Sequence, residues 1–184
     1  MRVLSWLIVF EHALLRSAFI FLPAMVANAL PVIVSGVVRE KHPLDFGLKF
    51  IDGKRLLGKN KSIEGFIAGV AGGLLVGCVY ASVTHNTAWI TYGAVSGAGA
   101  MIGDSLNSFV KRRLSIRSGD PFIPMDQLSF ILVAYVLVSV LRVSNTVGIR
   151  VTLADLALGI YIVMVLHPLT NLIAYLLGLK DTPL

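Results

Sequence analysis

The sequence has little cysteine and little charge, and both shortages narrow the class of protein. Cys78 is the single cysteine, which excludes an intramolecular disulfide and a cysteine-based metal site. It lies within an apolar run, where a lone thiol acts as a packing residue. Charged residues make up 14% of the 184-residue chain and hydrophobic residues 56%. Where the hydrophobic residues fall along the chain therefore decides between a soluble core and a membrane protein.

Long apolar runs divide the chain into candidate transmembrane helices. A helix needs about 20 mainly apolar residues to cross the hydrocarbon layer. Five stretches come near that length, at about 17–38, 63–83, 88–110, 126–142 and 153–177. The sequence therefore predicts an all-α, polytopic integral membrane protein, with five transmembrane helices in a single domain over residues 1–184.

Residues 1–16 are more polar than the runs that follow. They include Glu11, His12 and Arg16, and they could form either an interfacial helix or an extension of the first span; we favour the interfacial helix. A cleaved signal peptide is an alternative, because Ala27-Asn28-Ala29 resembles a small-residue cleavage site. The apolar stretch begins late, behind charged residues, and we therefore favour an uncleaved first helix.

Most cations lie in two polar loops, at 39–62 and 104–126. These loops hold eleven of the sixteen Lys and Arg residues, whereas the linkers at 84–87 and 143–152 hold only Arg150. The positive-inside rule predicts that both loops are cytoplasmic, that the N-terminus is outside and that the C-terminus is inside. We expect a multi-pass protein of the cell membrane, whose basic charge serves topology rather than nucleic-acid binding. The oligomeric state is not specified.

The same two loops also hold six of the ten acidic residues, with Glu64 just beyond the first. Cations alone are enough to orient a protein in the membrane. This mixture of acids and cations therefore indicates either an active site at one membrane face or a loop with internal ion pairs. A small transporter is the alternative class. Its ionisable residues would line a path through the membrane, often within inverted repeats. Here the span centres are nearly uncharged and no repeat is visible.

Small residues recur every four positions in two spans. The stripes are Gly65, Gly69, Gly73 and Gly77, then Gly93 with Gly97, and Gly99 with Gly103. Small residues let helices approach closely in lipid, which predicts close packing at positions 69, 73 and 77. At Gly65 and Gly103, which lie beside polar residues, we favour a role in a functional site.

The segment 53–60, GKRLLGKN, resembles a phosphate-binding P-loop up to its last position. Asn60 replaces the hydroxyl residue that would hold magnesium, and no buried strand precedes the segment, so we exclude a P-loop NTPase. A basic loop with Lys59 and Lys61 remains, leading into the second span. If that helix starts at Ser62, its first N–H groups form an anion site. A cap followed by topological cations is the simpler alternative.

A second polar cluster lies at the end of the third span. On a helix, Asp104, Ser108 and Lys111 share one face. The roughly opposite face carries Leu106, Phe109, Val110 and Arg113. A carboxylate beside cations suits a magnesium-bound phosphate. Asp126, at the mouth of the fourth span, is a candidate second carboxylate, although an aspartate there could simply cap the helix.

Together these motifs resemble a family of lipid-activating enzymes. The region 103–112 with Asp126 is similar to the signature of the CTP-dependent phosphatidate cytidylyltransferases, and 61–65, KSIEG, is similar to their K-T-x-E-G segment. The sequence is more similar to the archaeal branch, the CDP-archaeol synthases, in the stretches 22–31, 43–47 and 52–58. One departure from the bacterial-type pattern is Ser129, which stands where that pattern has a second aspartate.

The resemblance implies a membrane enzyme that transfers CMP from CTP to an isoprenoid ether glycerol phosphate and releases pyrophosphate. A diacyl lipid is the alternative substrate. The resemblance implies catalytic roles for Asp104, Lys111 and Asp126, with both aspartates binding Mg²⁺. The implied nucleotide-binding residues are Asn28, Lys59, Lys61, Ser62, Gly65, Ser105 and Arg112. Asp45 and Asp52 stay open between metal binding, ribose binding and pairing with loop cations.

Overall fold

The computed structural model describes residues 2–178, except for the side chains of residues 2–7, 167, 170, 171 and 174. In this range the helices are α1 (Arg2–Val37), α2 (Ile63–Thr84), α3 (Ala88–Arg113), α4 (Met125–Val140), α5 (Val143–Thr146) and α6 (Leu153–Leu176). The all-α prediction is confirmed, and the last four predicted spans match helices to within three residues at each end. The predicted cytoplasmic C-terminus lies outside the described residues.

The first helix differs from the prediction. α1 runs without a break from Arg2 to Val37, so a separate interfacial helix before the first span was wrong. Arg16 lies 3.3 Å from the carboxylate of Asp155 and donates a 2.8 Å hydrogen bond to the carbonyl of Arg150. Because a distant part of the chain satisfies this charge, the helix continues through it.

The helices differ in how clearly they qualify as membrane spans. Two are long and apolar enough by length and composition, Ile8–Val37 within α1 and Ile63–Thr84. Met125–Val140 and Leu153–Leu166 are shorter apolar helices. α3 has 26 residues but ends in three consecutive basic residues. The count of five spans therefore stays a prediction.

Glycine brings α2 against both of its neighbours. A Cβ atom at Gly73 would lie 2.6 Å from the carbonyl oxygen of Gly93 in α3. A Cβ atom at Gly69 would lie 2.8 Å from the carbonyl oxygen of Ala27 in α1, which Pro31 leaves without its helical donor. The predicted close packing along this stripe is confirmed.

Gly103 also serves packing. A Cβ atom there would lie 2.8 Å from the Cα atom of Phe130, so α3 meets α4 backbone to backbone at this level. The role that we favoured for Gly103 in the functional site is not what the structure gives it. Close contact at Gly103 instead fixes the height of α4 relative to the polar end of α3.

Residues 38–62 and 114–124 lie at one end of the bundle, which we call the loop end. Lys54 Nζ donates to the carbonyl of Arg113 at 3.2 Å and to Ser115 Oγ at 2.7 Å. Arg113 Nη2 in turn donates to the carbonyl of Arg55 at 2.6 Å. The first loop therefore folds over the end of α3, and both basic segments share one side, as the sequence predicts.

Candidate active site

The start of α2 positions the first charged pair of the loop end. Ser62 caps the helix, its Oγ accepting from the N–H of Gly65 at 3.1 Å, which confirms the predicted helix start. The N–H of Leu44 donates to the carbonyl of Lys61 at 2.9 Å and holds the chain just before the cap. Lys61 Nζ then lies 2.5 Å from Asp104 Oδ2 on α3. About a quarter of each side chain is exposed.

A second pair lies further along α3. Lys111 is 9% exposed, and its Nζ contacts both oxygens of Asp126, at 3.0 and 3.1 Å, as well as the carbonyl of Asp120 at 2.5 Å. Asp126 also accepts from Asn107 Nδ2 at 2.6 Å and from the N–H of Phe122 at 2.7 Å. Each oxygen of Asp126 therefore has two donors.

The two pairs lie on one face of α3. Asn107, which bonds Asp126, is three residues after Asp104, or about 4.5 Å along the helix axis. We call the group Lys61, Asp104, Asn107, Lys111 and Asp126 the polar junction. Asn107 was missed in the sequence analysis. Its spacing from Asp104 and Lys111 places it on their face, so the helical pattern could have found it.

Arg112 lies where the two loops meet. A Cβ atom at Gly58 would lie 3.3 Å from Arg112 Nη1 and 3.4 Å from Ser118 Oγ, so the absence of a side chain at Gly58 makes room for the guanidinium. Among the described residues, the buried Arg112 Nε has no hydrogen-bond partner. Lys59 is exposed on the adjacent turn. Two cations on adjacent parts of the loop end suit a phosphate oxygen.

Asp45 is fully buried and serves the loop itself. Its carboxylate accepts from Arg55 at 2.5 Å and from the N–H groups of Gly47, Leu57 and Gly58, at 3.0, 3.1 and 3.3 Å. Burial alone would raise the pKa of Asp45, but these hydrogen bonds outweigh it and hold the pKa at about 2. Of the three roles left open, the structure shows pairing with a loop cation.

Replacing Asp45 with alanine should open the first loop. Arg55 and three N–H groups would lose their acceptor, so we expect trypsin cleavage at Lys49, Lys54 and Arg55 to become about tenfold faster. Limited proteolysis of folded protein measures this. Because the pKa is depressed, the wild-type loop should keep its protection above pH 3.8 and lose it as the pH falls towards 2, tested with pepsin.

The control for this variant is Glu40→Ala, which removes an exposed acid of the same loop. It should leave the cleavage rate unchanged. Equal cleavage of Asp45→Ala and wild type would contradict the role given to Asp45.

Asp52 and Glu64 also hold the first loop together. Asp52 accepts from the backbone N–H of Lys54 at 3.0 Å and lies 3.2 Å from Arg113 Nη1, so it too pairs with a cation. Glu64 accepts from the N–H of His42 at 3.1 Å and lies 2.6 Å from His42 Nδ1. This second pair was missed. It clamps the beginning of the loop to the first turn of α2, beside Lys61.

Asn28 and Ser105, which were predicted to bind the nucleotide, make no side-chain hydrogen bond to the polar junction in the part of the chain that the structure describes. Asn28 is in α1 between Ala27, whose carbonyl lies beside Gly69, and Pro31, which lies beside Gly65, so it is at the level of the first turns of α2. Ser105 Oγ donates to the carbonyl of Met101 at 2.8 Å and faces an apolar groove. Consecutive helical residues point about 100° apart, which separates Ser105 from Asp104.

The carboxylates of the polar junction could hold a metal ion only together with a substrate phosphate. Among the side chains that the structure describes, no group of three or more His, Cys, Asp and Glu is placed to hold a metal ion. Mg²⁺ in phosphate-transfer sites is commonly bound by one or two carboxylates together with substrate phosphates. Asp104 fits this arrangement, since Lys61 contacts only one of its oxygens. Asp126 is already fully hydrogen-bonded.

Similarity to known proteins identifies the family of this chain. A family model described as CarS-like, CDP-archaeol synthase, matches residues 10–184. A CDP-archaeol synthase from Thermofilum pendens is 41% identical over 172 residues, which cover 91% of this chain and 80% of the relative. The chain belongs to the CDP-archaeol synthase family. A second CDP-archaeol synthase, from Aeropyrum pernix, is 40% identical over 170 residues, 92% of each chain.

A solved structure agrees with the family. It is described as an intramembrane enzyme for archaeal membrane lipid biosynthesis, and it matches with a TM-score of 0.72 at 38% identity. The match covers 86% of this chain and 94% of that one. As a CDP-archaeol synthase family member, the chain is a membrane-embedded, CTP-dependent cytidylyltransferase of archaeal lipid biosynthesis. The enzyme class predicted from the sequence is confirmed.

Proposed function

We propose that the polar junction joins CMP from CTP to the phosphate of an isoprenoid ether glycerol phosphate. The observation that carries this is the pair of ion pairs, Lys61 with Asp104 and Lys111 with Asp126, on one face of α3 at the loop end. Two anionic substrates must meet there, and two ammonium groups at the same end of α3 can neutralise them together.

The reaction needs positioning more than proton transfer. An oxygen of the lipid phosphate attacks the α-phosphorus of CTP, and the bond from that phosphorus to the bridging oxygen breaks as pyrophosphate leaves. The attacking phosphate is already ionised near neutral pH, so no strong general base is required. Lys61 and Arg112 present N–H donors at the loop end for phosphate oxygens. Lys111, whose ammonium contacts Asp120 and Asp126, would exchange one of these contacts for a phosphate oxygen. Their role is to hold the two substrates in line and to offset the charge that gathers on the oxygens.

We assign the remaining predicted residues by what their positions support. Lys59 and the capped start of α2, at Ser62 and Gly65, form an anion-binding edge for the triphosphate. Asn28, at the level of that helix start, is proposed to contact the nucleotide. The Ser105 hydroxyl donates to a carbonyl within α3, and we propose that Ser105 lies near the lipid substrate rather than the nucleotide.

Mg²⁺ is the proposed cofactor. Asp104 would hold it together with the triphosphate. Asp126, whose oxygens each have two donors, would bind the ion only by exchanging one of those hydrogen bonds. When bound, the ion lowers the negative charge that the attacking phosphate meets. Asn107 and Lys111 keep Asp126 in place beside it.

The membrane arrangement follows from the same placement. We propose five spans, α1, α2, α3, α4 and α6, with the loop end in the cytoplasm and the N-terminus outside. CTP is soluble and cytoplasmic, whereas the lipid phosphate lies at the interface and its chains remain in the bilayer. A site at the loop end serves both substrates without extracting the lipid.

Release of pyrophosphate by purified protein tests this function. The assay contains CTP, Mg²⁺ and a geranylgeranyl ether glycerol phosphate, and each component is omitted in turn. We expect release only with all three, and less with a diacyl glycerol phosphate. Release without lipid would indicate a CTP hydrolase, and no release with either lipid, from protein with intact helicity, would contradict the proposal.

A further inference from the structure

Arg113, the last residue of α3, holds the first loop against the helix through four groups. Its guanidinium carbon lies 4.9 Å from the centre of the Phe50 ring in the loop and 4.8 Å from the centre of the Phe109 ring, one turn earlier in α3. Its Nη2 donates to the carbonyl of Arg55 at 2.6 Å, and its Nη1 lies 3.2 Å from the carboxylate of Asp52. The proposed reaction gives Arg113 no role.

These contacts require a guanidinium rather than any cation. A planar guanidinium can stack on aromatic rings and direct its N–H groups to two separate acceptors, whereas an ammonium concentrates its charge at one point. Only 20% of the Arg113 side chain is exposed, so its charge is paired within the protein. Arg113 is therefore suited to hold the loop and not to bind a phosphate itself.

A continuous series of contacts leads from Arg113 to the polar junction. Arg55, whose carbonyl accepts from Arg113, places its own guanidinium 2.5 Å from the Asp45 carboxylate. That carboxylate accepts from the N–H of Gly58 at 3.3 Å, and the carbonyl of Gly58 accepts from the N–H of Lys61 at 3.4 Å. The position of Lys61 therefore depends on where Arg113 holds the loop.

From this series of contacts we infer that Arg113 is a positioning residue for CTP, which rests on the function proposed above. It fixes the turn that carries Lys59 and Lys61, the two lysines assigned to the triphosphate, without touching the nucleotide. Lys111 and Asp126 are held by α3, α4 and the second loop instead. Loss of Arg113 should therefore affect CTP and leave the lipid phosphate unaffected.

Steady-state kinetics of two variants at this position test the inference. Arg113→Met keeps an unbranched side chain beside the rings but removes the charge and the N–H donors, so the KM for CTP should rise about tenfold. The KM for the lipid phosphate should stay unchanged. Arg113→Lys keeps the charge but cannot make both polar contacts, so it should not restore the KM for CTP. A wild-type KM in Arg113→Lys would mean that general attraction of CTP is responsible, and would overturn the inference.

Asp52→Asn is a second variant, which guards against a folding defect at position 113. It removes the charge that pairs with Arg113 and leaves the stacked guanidinium in place, so the KM for CTP should rise about threefold. The double variant with Arg113→Met should show no further rise over Arg113→Met, because the two residues act through one contact. Effects that multiply in the double variant would overturn the inference.

The matched control is Arg117→Met. Arg117 is an exposed arginine of the second loop, so the variant has the same change in charge as Arg113→Met. It should leave both KM values unchanged. An equal rise in the KM for CTP in Arg117→Met would overturn the inference.

Binding of CTP alone separates this inference from the proposed function. With Mg²⁺ and no lipid, the dissociation constant for CTP should be about tenfold higher for Arg113→Met than for wild type. Saturating CTP should also slow trypsin cleavage of this variant at the exposed Lys49, because a bound triphosphate favours the docked loop.

The outcomes of the binding experiment distinguish the two proposals. Wild-type protein that binds CTP more tightly than Arg113→Met but transfers nothing to lipid would contradict the proposed function and support this inference. Equal dissociation constants for the two proteins, or cleavage at Lys49 that CTP does not slow, would overturn this inference even where transfer is observed.

Discussion

Asp104→Asn is expected to lower the rate of cytidylyl transfer about 1,000-fold with little change in folding. The amide keeps the shape of the carboxylate but removes the charge that pairs with Lys61 and that would hold Mg²⁺. Lys61 would remain beside an uncharged group and lose its fixed position. Pyrophosphate release at saturating CTP and lipid measures the rate, and circular dichroism measures the helix content.

Asp120→Asn is the matched control for Asp104→Asn. Asp120 is an exposed acid of the second loop, and only its backbone carbonyl contacts the polar junction, through Lys111. This variant should keep wild-type activity. Full activity of Asp104→Asn would contradict the role given to this carboxylate. An equal loss of activity in both variants would mean that the general charge of the loops, rather than a specific carboxylate, is responsible.

Lys111→Met should abolish activity almost as completely, by about 100-fold or more, for two reasons. It removes a cation proposed to bind phosphate, and it leaves Asp126 with an uncompensated charge in a partly buried place. The second effect should also lower the thermal stability. Measuring activity and melting temperature on the same preparation separates the two.

The double variant Lys111→Met with Asp126→Asn separates pairing from catalysis. Removing both charges should recover much of the lost stability, because no unpaired charge remains. Activity should stay low, because the cation and the carboxylate are each required. Recovery of activity together with stability would mean that this pair only supports the fold. Lys54→Met is a matched control, since Lys54 also contacts a carbonyl but lies outside the polar junction.

Much of the fold could be predicted because the apolar spans begin directly after polar residues that cap helices. α2 begins directly after Ser62, a hydroxyl residue that can accept from its first turn, and α6 begins after Thr152 in the same way. The sequence left the extent of α1 open between an interfacial helix and an extension of the first span, because the partner of Arg16 is the distant Asp155. Nothing local to residues 2–16 reveals that contact.

The site was predictable as a set of residues but not as a set of contacts. Helical spacing placed Asp104 and Lys111 on one face, which the structure confirms. It did not show that Asp104 contacts Lys61 while Lys111 contacts Asp126. That choice depends on how the first loop and α4 dock against α3, which is a tertiary feature.

For Ser105, the position in the structure differs from the one that its predicted role required. A hydroxyl beside Asp104 was predicted to bind nucleotide, but the turn of the helix directs it to the apolar groove. The same periodicity that placed Leu106 and Phe109 opposite the charged face could have placed Ser105 nearer to them.

Transfer of a label from CTP to lipid tests the central claim most directly. CTP labelled at the α-phosphate is incubated with Mg²⁺, a geranylgeranyl ether glycerol phosphate and either wild-type protein or Asp104→Asn, and the lipid is then extracted. We predict label in the lipid with wild-type protein and almost none with the variant. Label that stays in water as CMP, or equal transfer by both proteins, would contradict the account.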